Sequence, residues 1–259
     1  MDETTFISKK IQQLRMPGMF DTFQQRLHAA SVEKWSYSTF LDALLSDEID
    51  RRNQKQLQQR LSKSYLSPDK TLESFDFSFN TKIPAPTIRE LATCKFVTEG
   101  QNLFLVGPSG TGKSHLAAAL GHEACRKGFD VLFYRCHKLF DWVHSGYGDG
   151  SYKKRLEHII KVPVLILDDF GLQTLPGGHQ EDLYEVICRR YETRSMIITS
   201  NRDMSEWAGV FNNPLIATAA LDRLVHKGIE ISLEGNSFRL DQYQRRARQG
   251  LKKRNSGAV

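Results

Sequence analysis

One stretch of eight residues, 107–114, constrains this chain more than any other. It reads Gly-Pro-Ser-Gly-Thr-Gly-Lys-Ser, which fits the pattern G-x-x-x-x-G-K-S/T at every fixed position. An apolar run, 103–106, precedes it and a helix-forming run, 115–120, follows it. The glycines let backbone N–H groups surround an anion, and the following helix points its positive end at the same place. The stretch therefore predicts a loop that holds the phosphates of ATP or GTP.

The eight residues have different expected roles in binding. Lys113 would reach the β- and γ-phosphates, and the hydroxyl of Ser114 would be a ligand of Mg²⁺. The other predicted nucleotide-binding residues are Gly107, Pro108, Ser109, Gly110, Thr111 and Gly112. The alternative is a glycine-rich turn with an incidental lysine, but the complete match between a strand and a helix favours nucleotide binding.

The chain around this loop alternates between short apolar runs and helix-forming segments. The predicted strands are 103–106, 130–135, 164–169 and 196–199, and the predicted helices are 113–127, 139–160 and 181–191. The glycine-rich stretch 146–150 predicts a break within 139–160. Continuous apolar strands that alternate with helices are typical of a parallel sheet covered on both faces. We therefore predict an α/β fold whose ligand site lies at the carboxyl ends of the strands.

Two adjacent carboxylates, Asp168 and Asp169, end the third predicted strand. We expect Asp168 to support Mg²⁺ through its water shell, and Asp169 to orient or deprotonate an attacking water. Asn201 ends the next strand and could hydrogen-bond the same water and the γ-phosphate. The alternatives are an acidic turn at 168–171 and a plain turn former at Asn201.

The first 66 residues show apolar side chains at helical spacing and contain no glycine-rich or metal-binding motif. We predict a small all-helical domain over residues 1–66, interrupted at Pro17-Gly18 and followed by one long helix. Within that helix the spacing predicts two i, i+4 ion pairs on one charged face, Asp47 with Arg51 and Glu48 with Arg52.

Residues 67–86 lack a helical period and alternate three phenylalanines, Phe75, Phe77 and Phe79, with polar residues. This pattern fits a short strand or an extended segment laid against an apolar surface. We interpret it as the connection between the helical domain and a nucleotide-binding domain over residues 87–240.

Composition bears on the cellular location of the protein and on the role of its cysteines. No apolar run approaches the roughly 18 residues that cross a bilayer, and the acidic, polar N-terminus differs from a signal sequence. We therefore expect a cytoplasmic protein with no membrane partner. The four cysteines are widely spaced and predict neither a zinc site nor a disulfide framework.

Most of the net charge of +6 comes from a tail at residues 241–259. The tail has one acidic residue, Asp241, against six basic ones, Arg245, Arg246, Arg248, Lys252, Lys253 and Arg254. Composition leaves two interpretations open, a solvated tail or a contact with nucleic acid. The same two alternatives, a solvated face or a surface for DNA phosphates, apply to basic residues of the long N-terminal helix, Arg51, Arg52, Lys55, Arg60 and Lys63.

Together these motifs resemble those of the AAA+ ATPases over residues 87–240. An Asp-Asp pair at the strand end is typical of the clade that contains the initiator DnaA, the helicase loaders DnaC and DnaI, and the transposition helper IstB. The resemblance implies that Arg223, within 219–224, is an arginine finger presented to a neighbouring subunit. It also implies that Arg239, within 235–239, approaches the nucleotide of its own subunit. ATP would then lie at the subunit interfaces of a homo-oligomer.

The stretch 136–160 lies where this clade inserts an extra helix. The resemblance makes four residues candidates for facing nucleic acid in a central channel, Lys138, Lys153, Lys154 and Arg155. Since no base-reading motif is visible, we expect contacts mainly with phosphates, and we expect them to weaken with salt.

Almost the full chain is similar to the IstB-like transposition helpers. The similarity includes Leu14-Arg-Met-Pro-Gly-Met19, the Arg51-Arg52 pair in a long helix, and Phe75-Asp-Phe-Ser-Phe-Asn80. It implies an ATP-dependent regulator of DNA transposition that oligomerises on double-stranded target DNA and recruits the transposase of the same element. Hydrolysis of ATP would release or reset the assembly.

Two alternatives stay open. A replicative helicase loader of the DnaC or DnaI type shares the ATPase core, but the DnaI type carries a zinc-binding N-terminal domain, and no cysteine precedes Cys94 here. A plain phosphotransferase is the third possibility. The two adjacent acids disfavour a small-molecule kinase, which needs no water-activating carboxylate at that position.

Overall fold

The computed structural model describes residues 3–80 and 82–255, and for residue 3 and residues 247–255 it describes the backbone alone. Several side chains predicted to make the tail basic, those of Arg248, Lys252, Lys253 and Arg254, lie outside this description. The chain forms two compact units, one ending at Arg60 and the other starting at Leu61. Residues 67–86, interpreted above as a connection, belong to the second unit.

Helices account for most of the described secondary structure. They are α1 (Glu3–Gln13), α2 (Pro17–Glu33), α3 (Tyr37–Lys63), α4 (Ala85–Leu91), α5 (Lys95–Thr98), α6 (Lys113–Arg126), α7 (Cys136–Asp149), α8 (Tyr152–Lys161), α9 (Gly177–Arg190), α10 (Pro214–Val225) and α11 (Phe238–Asn255). The strands are β1 (Leu103–Val106), β2 (Val131–Arg135), β3 (Val164–Asp168), β4 (Ser195–Ser200) and β5 (Ile229–Ser232), and a 3-10 helix spans Met204–Val210.

The first unit is helical, as the sequence predicts, and packs around a small apolar core. Its buried members are Ile11, Met19, Phe23 and Leu44. The predicted interruption at Pro17 is present, because α1 ends at Gln13 and Pro17 opens α2. Proline is well suited to this position, since its fixed φ matches the helix and its missing N–H is not needed there.

A buried carboxylate joins α3 to the start of α2. Glu48 is only 4% exposed, and its Oε2 accepts hydrogen bonds from the backbone N–H groups of Gly18 (2.6 Å) and Met19 (3.3 Å). A carboxylate here satisfies two N–H groups that have no partner within α2 and lies at the positive end of that helix. Gly18 allows the approach, because a Cβ at this position would lie 2.6 Å from the carbonyl oxygen of Asp47.

The charged face predicted for α3 is only partly correct. Glu48 does pair with Arg52, at 2.7 Å between Oε1 and Nε. The predicted pair of Asp47 with Arg51 is wrong, because Asp47 pairs with Arg26 of α2 at 2.7 Å and Arg51 pairs with Asp21. A neighbouring helix offers these groups partners across the packed surface, which spacing along one helix cannot reveal.

The second unit contains a five-stranded sheet in the order β2-β3-β4-β1-β5, and every neighbouring pair is parallel. The predicted α/β sheet flanked by helices is therefore confirmed. β4 lies between β1, which leads into residues 107–114, and β3, which ends at Asp168. Because parallel strands all end at the same edge, this order brings the phosphate loop and the acidic pair to one place.

Some elements differ from the sequence prediction. β5 was not predicted, because it is a four-residue edge strand that alternates apolar with polar residues and carries no continuous apolar run. The break predicted over 146–150 falls at the end of that stretch, because α7 runs through Gly146 to Asp149 and α8 begins at Tyr152. Gly146 is buried and lets α7 approach the start of α8 closely, since a Cβ at Gly146 would lie 2.6 Å from the backbone nitrogen of Tyr152.

Two further features concern membrane-spanning helices and cysteines. Among the described helices, none combines the length and apolar character that crossing a membrane requires. The four cysteines all lie in the described part of the chain and are not joined by disulfides there, and Cys94, Cys125 and Cys136 are buried.

We expect Glu48→Ala to destabilise the first unit by about 1–3 kcal/mol, because two buried N–H groups lose their acceptor. Urea unfolding followed by circular dichroism would measure the change. Asp50→Ala removes an exposed acid from the same helix and should leave stability nearly unchanged. Equal effects of the two substitutions would contradict the capping role of Glu48.

The same carboxylate predicts a pH dependence. Burial opposes ionisation of Glu48, but hydrogen bonds from Arg52, Gly18 and Met19 outweigh it and lower the pKa of Glu48 below its ordinary 4.5. A folded-state pKa below the unfolded value means that this stabilisation is full above pH 4.5 and is lost as the pH falls through the lowered pKa. The stability difference between wild type and Glu48→Ala should therefore shrink in acid.

Candidate nucleotide-binding site

The loop between β1 and α6 depends on its glycines. Gly107, Gly110 and Gly112 have φ values of 144°, 86° and 103°, a region that residues with a Cβ rarely adopt. Neighbouring chain also leaves no room for side chains, since a Cβ at Gly107 would overlap the carbonyl oxygen of Leu233 and one at Gly110 would overlap the hydroxyl of Ser237. The loop is therefore built from close backbone contacts.

Lys113 turns back into this loop. Its Nζ donates hydrogen bonds of 2.7 Å to the carbonyl oxygens of Gly107 and Pro108, and the residue is only 5% exposed. Burial lowers the pKa of Lys113 to about 8, although the charges of Asp169 and Asp168 partly oppose the effect. A buried ammonium whose hydrogen bonds go to carbonyl oxygens gains further stabilisation from a nearby polyanion.

The two carboxylates at the end of β3 are fixed through the neighbouring strand. Thr199 of β4 donates a hydrogen bond of 2.6 Å from its hydroxyl to Oδ1 of Asp168. The same hydroxyl accepts a hydrogen bond of 3.1 Å from the backbone N–H of Asp169. Asp168 is buried, whereas Asp169 is partly exposed and has a left-handed φ of 58°. Thr199 thus orients both acids, a role that the sequence analysis missed.

A cavity of about 360 Å³ brings the predicted groups together. The predicted residues that line it are Ser109, Gly110, Thr111, Gly112, Lys113, Ser114, Asp168, Asp169, Asn201 and Arg239. Gly107 and Pro108 are not among the lining residues and take part through their bonds to Lys113. A strand tip, a loop and a helix end that are far apart in sequence therefore share one wall.

The two arginines named from the resemblance lie in different places. Arg239 lines the cavity and donates a hydrogen bond of 2.9 Å to the hydroxyl of Ser109. Arg223 is not among the lining residues. It donates a hydrogen bond of 2.7 Å to the carbonyl of Ala219 within α10, and its guanidinium lies 5.9 Å from the ring centre of Tyr184. The chain's own cavity thus uses Arg239 and leaves Arg223 elsewhere.

The cavity also contains residues that the sequence analysis did not select. Arg135 ends β2 opposite Asp168, and its Nε lies 3.9 Å from Oδ2 of Asp169. The presumed connection supplies a whole wall, formed by Lys70, Ser74, Phe75, Asp76, Phe79, Asn80 and Ile83. The alternating phenylalanines were the one signal in the sequence for this wall. They predicted that the segment covers an apolar surface but did not identify that surface.

The charges and shape of the cavity fit a nucleoside triphosphate with a divalent cation. Lys113, Arg135 and Arg239 supply positive charge, and Ser114 lies at the N-terminal end of α6. Within the described residues, no group of three or more His, Cys, Asp or Glu side chains could hold a metal alone. Ser114 and Asp168 are a donor set suited to Mg²⁺, which retains waters and shares phosphate oxygens.

Comparison with known proteins identifies the family. A sequence profile of the family described as IstB-like ATP binding protein matches residues 9–247. The chain belongs to this family. It is 37% identical over 230 residues to an insertion-sequence ATP-binding protein of Mycobacterium tuberculosis, covering 88% of this chain and 92% of that protein. The IS5376 ATP-binding protein of Geobacillus stearothermophilus is 35% identical, covering 90% of this chain and 93% of that protein.

Solved structures with a similar fold belong to the AAA+ clade of initiators and loaders. The DnaC helicase loader has a TM-score of 0.51 and 25% identity, covering 57% of this chain and 87% of that chain. DnaI has a TM-score of 0.56 and 24% identity, covering 66% of this chain and 96% of that chain. DnaA bound to AMPPCP and single-stranded DNA has a TM-score of 0.57 and 22% identity, covering 67% of this chain and 52% of that chain. The predicted AAA+ fold and IstB-like family are thus confirmed.

The position of Lys113 predicts that nucleotide binding takes up a proton. At pH 8 about half of Lys113 is neutral when its pKa is about 8, and a bound polyphosphate would return it to the charged form. Calorimetric titration with ATP at pH 8 in buffers of different ionisation enthalpy would measure the uptake, and affinity should fall as the pH rises further. At this pH the phosphates themselves are already ionised.

A control uses a lysine at the opposite end of the same helix. Lys127 follows α6 and is exposed, so Lys127→Ala should leave the proton count unchanged. Heats that do not depend on the buffer at pH 8 would contradict a lowered pKa for Lys113.

Proposed function

We propose that this protein is an ATP-hydrolysing regulator of DNA transposition. In this proposal it assembles as a homo-oligomer on double-stranded target DNA, engages the transposase of its own element and resets on hydrolysis. The main support is the meeting of Lys113, Asp168, Asp169 and Asn201 in one cavity, in a family whose relatives are ATP-binding proteins of insertion sequences. A site for nucleotide storage would not need a second carboxylate beside the metal-binding one.

Binding and hydrolysis would use different residues of the cavity. The backbone N–H groups of residues 109–114, Lys113 and Arg239 would hold the phosphates. Ser114 and Asp168 would hold Mg²⁺, which supplies charge neutralisation on the phosphate oxygens when bound. Asp169 would accept a proton from the attacking water, and Asn201 would orient that water. Thr199 supports this division because it fixes Asp168 through its side chain and Asp169 through its backbone.

Oligomerisation would complete the site. Arg223 lies outside the cavity of its own subunit, and we propose that it reaches the nucleotide of a neighbouring copy. An arginine near the transferred phosphate stabilises the developing charge and can raise the rate by several orders of magnitude. Hydrolysis would therefore depend on assembly.

Contacts with DNA would come from exposed lysines of the α7–α8 region. Lys138, Lys153 and Lys154 are exposed, which supports them as phosphate contacts. Arg155 has a different setting, since it donates to the carbonyl of Trp142 and pairs with Asp149 at 2.7 Å. Its charge is thus partly used in joining α7 to α8.

Asp169→Asn should retain ATP binding within about twofold and slow hydrolysis by about 100-fold or more, because a positioned general base contributes 10²–10⁴ in rate. Fluorescent nucleotide titration and phosphate release would measure the two quantities separately. Glu181→Gln removes an exposed acid from α9 and should change neither. Unchanged phosphate release in Asp169→Asn would remove this residue from the mechanism.

Mixed oligomers test the role of Arg223. Arg223→Ala and Asp169→Asn should each hydrolyse ATP poorly alone, while their mixture should regain activity. The reason is that a site with Asp169 from one subunit and Arg223 from the other is complete. Pull-down of differently tagged subunits verifies mixing. Mixed oligomers without regained activity would contradict a trans role, and full activity of Arg223→Ala as a monomer would favour a plain phosphotransferase.

A replicative helicase loader is the second candidate, favoured by the fold shared with DnaC and DnaI. The two functions differ in partner. Capture of the element's transposase by tagged protein in the presence of ATP and DNA supports transposition, whereas selective capture of the replicative helicase would overturn it.

A further inference from the structure

Residues 67–80, which we call the strap, are fastened along one face of α6. Nε2 of His122 lies 2.9 Å from the carbonyl oxygen of Ser67, and Nε2 of His115 lies 2.9 Å from that of Thr71. A carbonyl oxygen only accepts, so each Nε2 carries the hydrogen and donates. Two histidines seven residues apart lie on the same side of a helix. The strap therefore runs along α6 towards its N-terminal end.

Two more contacts secure this part of the strap. The hydroxyl oxygen of Ser74 lies 3.2 Å from Nε2 of His115. Arg126, at the far end of α6, donates a hydrogen bond of 2.6 Å to Glu73. Burial lowers the pKa of His115, so the imidazole is neutral near pH 7 and has one N–H to donate. The strap is thus held at several points before it reaches the phosphate loop.

At the loop, the edge of the Phe75 ring lies against Gly112. A Cβ at Gly112 would be 2.8 Å from Cε2 of Phe75 and 3.0 Å from its Cζ. The ring is itself packed edge-on against two others, with centroid distances of 5.1 Å to His115 and 4.7 Å to Phe77. The packing of these three rings therefore holds one edge of the Phe75 ring over the backbone of Gly112.

The other end of the strap joins the far side of the loop. Asn80 donates a side-chain hydrogen bond to the carbonyl of Glu234, and Phe79 packs edge-on against Phe238 at 4.9 Å. The backbone N–H of Phe238 in turn donates a hydrogen bond of 3.0 Å to the carbonyl of Gly110. The phosphate loop is thus enclosed from two sides that are connected to each other.

Gly112 is a point where such support matters. It is the N-cap of α6 and has a left-handed φ of 103°, and its carbonyl oxygen accepts hydrogen bonds from the backbone N–H groups of His115 and Leu116. Glycine is the residue with the greatest backbone freedom, so a contact on Gly112 restricts the orientations open to the peptide unit on its loop side. The N–H groups that follow must face the phosphates for the loop to bind them.

We propose that Phe75 is a positioning residue that holds the phosphate loop in its anion-binding conformation through contact with Gly112. This inference rests on binding of a nucleotide at the cavity, as the proposed function does. It makes the strap part of the binding machinery, although Phe75 carries no polar group for the phosphates. A preorganised loop binds more tightly because binding does not have to order it.

Phe75→Ala should weaken binding of ATP and of inorganic tripolyphosphate by the same factor, about tenfold, which corresponds to about 1.4 kcal/mol of lost preorganisation. Tripolyphosphate has no base or sugar, so it reports on the phosphate loop alone. Phe75→Leu retains part of the apolar contact and should recover part of the affinity. Calorimetric titration of the full-length protein gives each affinity, and thermal unfolding verifies that the variants are folded.

Phe20→Ala is the control, since it removes an equally large ring from the exposed surface of the first unit, outside the strap and the cavity. Its affinity for tripolyphosphate should stay at the wild-type value. Hydrogen exchange of peptides covering residues 107–116 should become faster in Phe75→Ala and stay unchanged in Phe20→Ala.

Two results would overturn the inference. A folded Phe75→Ala protein that binds tripolyphosphate like wild type removes Phe75 from the support of the loop. Loss of ATP affinity with tripolyphosphate affinity retained would mean that Phe75 contacts the nucleoside instead. Failure of the wild-type protein to bind either compound would count against nucleotide binding itself and is distinguishable from both results.

Discussion

The parallel register of β1, β4 and β3 is the constraint on which the candidate site depends. β4 pairs with β1 on one side and with β3 on the other, so its tip lies between the phosphate loop and the acidic pair. The Thr199 hydroxyl is placed there and contacts both Asp168 and Asp169. A shift of one residue in this register would turn Thr199 to the opposite face of the sheet and separate the acids from their support.

The local parts of the site could be predicted from the sequence because their chemistry is contiguous. The phosphate loop needs its glycines, Lys113 and Ser114 in one short stretch, and the acidic pair follows one apolar strand. Asn201 could be placed from the end of the next strand. These predictions needed only the period of the strands and the rule that parallel strands end at one edge.

The remaining parts depend on packing between distant segments, which periodicity does not encode. Arg135 became part of the site because β2 pairs with β3 in a register that sets it opposite Asp168. The pairing of Asp47 with Arg26 was missed because the competing partner lies on another helix. The strap was interpreted as a connection because its alternating phenylalanines do not identify the surface they cover. That surface includes Gly112 and His115, at the start of α6.

These contacts explain how a glycine-rich loop can be both permissive and ordered. Its backbone must adopt left-handed conformations, which glycine allows but does not enforce. The enforcement comes from outside, through Phe75 at Gly112 and Phe238 at Gly110, and from within, through Lys113 at Gly107 and Pro108. Phosphates then compete with the two hydrogen bonds of Lys113 and with the one from Arg239 to Ser109, which costs less than ordering a mobile loop would. A buried lysine with a lowered pKa makes that exchange favourable, because the polyanion stabilises a charge that carbonyl oxygens hold only weakly.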